Sequence, residues 1–162
     1  MGGTTALVKN FLWIMLVSMV PMIELRASIP MGCSMGLPAW QVYLAAVVGN
    51  MLPVPFIVLF IRQFFEFLRK HWKKLRGLID RIEARAMKKS GRVRQFEILG
   101  LMIFVAIPLP GTGAWTGSLI AALLDIRLRR SIPTIFLGVL IAGAIMTAVS
   151  YGFRLGIHAL SG

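Results

Sequence analysis

The 162-residue chain is 57% hydrophobic and only 15% charged, with a mean hydropathy of +0.79 and a formal net charge of +12 at pH 7. A soluble domain of this length needs a polar surface that such a composition does not supply. The charge is also segregated: residues 62–94 hold twelve of the eighteen Lys and Arg, whereas 10–61 hold only Glu24 and Arg26. This is the pattern of an all-α integral membrane protein whose partner is the lipid bilayer, with one basic extramembrane segment. Charge placement beside a membrane span accounts for the basic residues, so no nucleic-acid partner is expected.

The first apolar block, Leu7–Met35, is interrupted at Pro21–Arg26. Its stretch from Leu7 to Ile23 is long for a cleaved signal peptide, and Glu24-Leu25-Arg26 falls where a cleavage region is small and uncharged. Trp40–Phe65 follows, nearly continuous apart from Pro53 and Pro55. Phe96–Leu124 is interrupted by "PLPGTG" at 108–113, and Ile132–Phe153 is continuous. Broken and unbroken blocks therefore alternate.

Each limb of a broken block has about a dozen residues and reaches roughly 18–20 Å at 1.5 Å per residue, against a hydrocarbon core of about 30 Å. Neither limb crosses alone. Pro108 and Pro110 remove backbone donors and Gly111 and Gly113 loosen the chain, so the block reads as a re-entrant helix hairpin. Leu7–Met35 admits the same reading, with its tip at Pro21–Arg26. The expected fold is an inverted repeat, each half a re-entrant hairpin followed by a transmembrane helix. The first half covers 1–65 (hairpin 7–36, transmembrane helix 38–65). A connector covers 66–94, and the second half covers 95–162 (hairpin 95–125, transmembrane helix 130–155).

Charge sets the orientation. Arg92 and Arg94 precede the second hairpin and Arg127, Arg129 and Arg130 follow it, which puts both its ends in the cytoplasm. The first hairpin then opens to the outside. Aligning Gly36 with Asp125 also aligns Gly49 with Gly138 and brings Pro21 within two positions of Pro108. Inverted repeats whose broken helices meet at the midplane are a transporter plan.

In the connector, Phe65, Leu68, Trp72, Leu75, Ile79, Ile82 and Ala86 make one apolar helical stripe flanked by basic residues. It reads as an amphipathic helix on anionic inner-leaflet lipids, with Lys70, Trp72, Lys73 and Lys74 at the surface. A coiled-coil seam or a regulatory partner site shares the same pattern. The pairs Gly32/Gly36, Gly113/Gly117 and Gly152/Gly156 permit close helix approach, within one chain or between copies in a homo-oligomer. Cys33 is single, and His71 and His158 lack ligand spacing, so no disulfide, metal or cofactor is expected.

An ionisable residue within a membrane is costly unless paired or wet, which makes Glu24 and Arg26 functional candidates. Positions two apart on a regular helix point in nearly opposite directions, so the two do not neutralise each other there. At a tip broken between Pro21 and Pro30, Glu24 instead falls in the first turn of a half-helix beginning near Leu25, where the dipole favours an anion. Arg26 is left to face a cavity or an anionic ligand. Gly111, Thr112 and Gly113 offer free N–H groups at the start of a second half-helix, Ala114–Leu124. The alternative is a buried Glu24–Arg26 pair that ties hairpin to hairpin. Trp115 reads as packing or as ligand stacking. Asn50 either contacts substrate or satisfies carbonyls freed near Pro53.

The stretches "ELRASIPMG", "GNMLPVP" and "PLPGTGAWTGSLIAALL" resemble the small multi-drug export protein family of bacteria and archaea, across essentially the whole chain. The resemblance implies a multi-pass protein of the prokaryotic cell (inner) membrane, with the connector cytoplasmic. That family resembles the DedA superfamily, which again implies hairpin-plus-helix repeats, and to whose hairpins an acid and an arginine are typical. Here both stand in the first hairpin, as Glu24 and Arg26. Three functions follow: a proton-coupled transporter, a lipid or lipid-phosphate translocase of DedA type, or a non-transporting structural or assembly protein. No nucleophile stands with a base, so no enzyme is expected.

Overall fold

The computed structural model describes residues 2–71 and 91–161, and every regular element among them is a helix. In chain order these are α1 (Gly2–Met19), α2 (Glu24–Ser34), α3 (Ala39–Met51), α4 (Val54–His71), α5 (Gly91–Ala106), α6 (Ala114–Leu123) and α7 (Leu128–Ser161). Trp72, Lys73 and Lys74, and with them most of the expected surface helix, lie outside the described residues. Lys70 lies in the last turn of α4.

Two stretches are long and apolar enough to cross a bilayer, the 23 residues Ala39–Ile61 and the 30 residues Leu128–Ile157. Only 39% and 33% of their most apolar windows is buried. Trp40, Leu44, Val48, Phe56 and Phe60 on one, and Phe136, Leu137 and Val149 on the other, face outward. The interior meanwhile holds Ser18, Glu24, Ser28, Asn50, Ser118 and Ser131. Large apolar side chains outside and polar ones inside suit a lipid solvent, not water. Leu7–Met19, Phe96–Ala106 and Ala114–Leu123 are apolar but shorter.

The span expected as one helix over 38–65 is broken at Leu52–Pro53. Pro53 and Pro55 have no N–H, so the carbonyls of Gly49 and Met51 lose their usual donors four residues on, and the ladder parts there. Beyond the break α4 runs past residue 65 to His71, and α7 runs past 155 to Ser161.

The ends of α2 and α6 are built alike. After α2, N–H groups of Met35, Gly36 and Leu37 donate to the carbonyls of Met31, Cys33 and Gly32; after α6, those of Leu124, Asp125 and Ile126 donate to Ile120, Ala122 and Ala121. Each is a Schellman-type stop with a left-handed residue, Gly36 at φ +73° and Asp125 at φ +51°. The entries to α3 and α7 match as well: Gln41 and Val42 donate to Pro38 O, and Arg130 and Ser131 to Arg127 O. Every one of these bonds recurs 89 positions later.

Packing follows the same pairing. Helix α1 lies on α3, and α5 on α7, while α2 packs against α7 and α6 against α4. Gly49 receives the Met15 backbone of α1, where a Cβ would collide with the Met15 carbonyl oxygen. Gly138 likewise receives Val105 and the Met102 carbonyl of α5, 2.7 and 2.9 Å from a Cβ position. Around these approaches Ile14, Leu25, Ile29, Val42, Val58, Ile135 and Val139 form the core. The two helix ends at Glu24 and Ala114 are thereby brought together inside it.

Candidate functional site

Helix α1 stops at Met19, and Pro21–Ile23 form a turn before α2 begins. Met22 and Glu24 take positive φ, +68° and +49°. Non-glycine residues held there cost about 1–2 kcal/mol each, and such strain persists only where surrounding contacts over-determine it. At Glu24 those contacts are visible. Its side chain is 2% exposed; Oε2 accepts from Arg26 Nη1 at 2.9 Å, and Oε1 accepts from the Trp115 backbone N–H at 3.0 Å.

The left-handed turn at Glu24 is what permits an ion pair between positions two apart. A regular helix would hold the two side chains on different faces. Arg26 is therefore engaged by Glu24 through Nη1, while its buried Nε has no partner among the described residues. Its other amino group, Nη2, donates to Thr112 Oγ1 at 2.6 Å, and the side chain is 12% exposed.

The second tip is shaped by its own residues. Ile107 ends the helical bonding of α5 ahead of Pro108. Thr112 N–H then donates to Leu109 O at 3.2 Å across Pro110-Gly111, with Gly111 at φ +84°. Proline second and a positive-φ glycine third is the pattern of a type II turn. The Thr112 hydroxyl has one proton to give, to Ile107 O at 2.7 Å or Leu109 O at 2.8 Å, while accepting from Arg26.

Gly113 caps α6 at φ +135° and ψ −167°, a conformation essentially confined to glycine. It has no side chain to offer the free N–H groups that follow, and the Glu24 carboxylate takes that place from the other tip. A carboxylate on the first turn of a helix is favoured by the helix dipole as well as by the hydrogen bond. The half-helix that Glu24 serves is thus α6 and not only its own α2. Trp115 completes the exchange, its indole Nε1–H donating to Met19 O at 3.1 Å, the last carbonyl of α1.

Glu24, Arg26, Thr112, Gly113 and Trp115 therefore form one connected cluster. Pro21, Pro110 and Gly111 are exposed on the two turns, Pro108 is half-buried, and Pro30 lies within α2 away from the tip. Asn50 does not satisfy the carbonyls freed near Pro53: it is fully buried, and neither amide atom has a hydrogen-bond partner. Sequence reading also missed three polar ties. Ser18 and Ser28 bond each other in the interior between α1 and α2. Arg154 Nη1 donates to Cys33 O at 2.9 Å, at the negative end of α2, and Tyr151 donates to Leu37 O at 2.7 Å just beyond it. Nothing in the spacing of these residues announces them.

A family model described as "Putative small multi-drug export protein" matches residues 24–145, from Glu24 through both tips and into α7. The chain belongs to this family. Its description is that of an exporter, which agrees with the outward-facing apolar surface of a membrane protein. Comparison with curated proteins and with solved structures finds no match.

Proposed function

We propose that this protein is a proton-coupled membrane transporter of the small multi-drug export type, and that the Glu24–Arg26–Thr112–Trp115 cluster couples proton and substrate. The observation that carries this reading is the buried Glu24 carboxylate, divided between a guanidinium on its own tip and the helix start of the other. A proton added to Oε2 removes the charge that Arg26 faces, while Oε1 still accepts from Trp115. Arg26 then holds only Thr112, and the tips are free to move relative to one another. Deprotonation restores the pair and re-locks them. A site with two such arrangements is what alternating access requires.

The inverted repeat belongs to the same proposal. It is supported by the turn hydrogen bonds that recur at an offset of 89 and by the crossed packing of α2 on α7 and α6 on α4. The re-entrant course of α1–α2 and α5–α6, whose apolar stretches Leu7–Met19, Phe96–Ala106 and Ala114–Leu123 are each shorter than a span, belongs to it too, as does a prokaryotic inner-membrane location with residues 66–94 and 125–131 cytoplasmic.

A structural reading has one observation in its favour: the Glu24–Arg26 pair, as it stands, ties tip to tip. The lipid-phosphate translocase is not adopted, since the start of α6 that would greet an anionic headgroup is taken by Glu24. The test is reconstitution in liposomes with a small amphipathic cation as cargo and an imposed pH gradient. Glu24→Gln is expected to abolish pH-dependent flux, and Glu24→Gln with Arg26→Gln to remain folded and equally inactive. A purely structural pair predicts instead that the double variant regains pH-dependent flux. Parent-like flux across pH in Glu24→Gln overturns the proton role.

A further inference from the structure

Asn50 is fully buried with its Nδ2 and Oδ1 both unpartnered, and the buried Arg26 Nε is unpartnered too. Buried amide and guanidinium groups are rarely left so, and each such group calls for a ligand or a water.

The two are close in level. Helices α2 and α3 are consecutive, packed, and joined by the short turn after Ser34, so they run antiparallel. Gly32 marks their register, with Val42 filling the space beside it, 2.6 Å from a Cβ position. Eight residues along α3 from Val42 reach Asn50; eight back along α2 from Gly32 reach Glu24. Each path is about 12 Å at 1.5 Å per residue. Asn50 therefore stands level with Glu24 and within a turn of Arg26.

Direction agrees with level. Asn50 lies about 80° round α3 from Val42, which faces α2, and close to Tyr43 at about 100°. The Tyr43 hydroxyl donates to Leu140 O of α7 at 3.1 Å. Asn50 thus points to the side of α3 that faces α7. Directly after it comes the α3–α4 break, where Pro53 and Pro55 leave the Gly49 and Met51 carbonyls without their helical donors.

The unpartnered side-chain atoms here are of both kinds: donors at Asn50 Nδ2 and Arg26 Nε, an acceptor at Asn50 Oδ1. An anion would satisfy only the donors, and a metal cation only the acceptor. Water satisfies both. We infer that Asn50 holds buried water in the α2–α3–α7 seam, linking the Glu24–Arg26 pair to the α3–α4 break, and that this water is the route by which protons reach Glu24. The route rests on the proton-coupled reading above; the water site does not.

Two measurements on the full-length protein separate them. Hydroxyl-radical footprinting in ¹⁸O-labelled water, with the protein in lipid nanodiscs, reads bound water at methionines near this level, Met19 and Met51. Fast ¹⁸O incorporation in the parent, reduced several-fold in Asn50→Leu, is the expected result; equal labelling in both, or none in the parent, overturns the water site. In proteoliposomes, cargo-driven proton movement is expected to slow at least tenfold in Asn50→Leu. It should recover substantially in Asn50→Ser, which leaves room for an additional water. A packing role would leave Asn50→Ser as slow as Asn50→Leu, and parent-like rates in Asn50→Leu overturn the route. Labelling that responds to Asn50→Leu while flux is indifferent to pH in every variant refutes proton coupling and leaves the water site standing.

Discussion

Replacing Gly113 with alanine strikes the joint between the tips without touching either charged group, and Gly111→Ala supplies its control. Both glycines have positive φ, +135° and +84°, so alanine at either pays a backbone penalty of about 1–3 kcal/mol. Their surroundings differ. At Gly111 nothing lies within 4 Å of an added Cβ. At Gly113 the Cβ would overlap Glu24 Oε2 and sit 2.7 Å from Arg26 Nη1 and 2.8 Å from Glu24 Cδ. The carboxylate must then leave, breaking its bonds to Arg26 and to the Trp115 N–H together. Separating a buried pair costs roughly 3–5 kcal/mol, with the lower end apt here because Arg26 keeps Thr112. Gly113→Ala is therefore expected to lose about 3 kcal/mol more than Gly111→Ala, a difference of about a hundredfold in the unfolding equilibrium. Reversible unfolding in mixed micelles or by steric trapping reads that difference. Adding Glu24→Ala to Gly113→Ala should cost less than the two separately, since the collision is gone. Equal losses in Gly111→Ala and Gly113→Ala would refute the tip-to-tip contact.

Arg154→Met keeps most of the side-chain length but removes the donor to Cys33 O at the end of α2. It should destabilise that end by about 1–2 kcal/mol and raise the maleimide reactivity of Cys33, which is buried at 5% exposure; an unchanged labelling rate would deny Arg154 its clamping role. For topology, Met35→Cys and Arg127→Cys in a Cys33→Ser background are both at exposed positions. Position 35 should label from outside and 127 from the cytoplasm, and labelling of both from one side would sink the inverted arrangement.

Much of this molecule is written locally. Block length and apolar content make the helices, and Pro21, Pro108, Pro110 and Gly111 stop them where they stop, because a missing N–H or a free φ acts on its immediate neighbours. The offset relating Gly36 to Asp125 and Gly49 to Gly138 was legible for the same reason, since turn and close-approach residues keep their places in the chain. What tertiary structure alone decided is the use of Glu24. A pair two residues apart is unfavourable on any helix, and among the neighbours of Glu24 only Arg26, through the pair itself, rewards a left-handed turn. The rest of the reward comes from Trp115 N–H, 91 positions away, and from Thr112 through Arg26. Arg154 follows the same rule: its place on α7 beside the end of α2 depends on helix packing, which hydropathy does not encode. Backbone strain of about 1–2 kcal/mol is small enough for long-range bonds to impose and too large for local sequence to choose unaided.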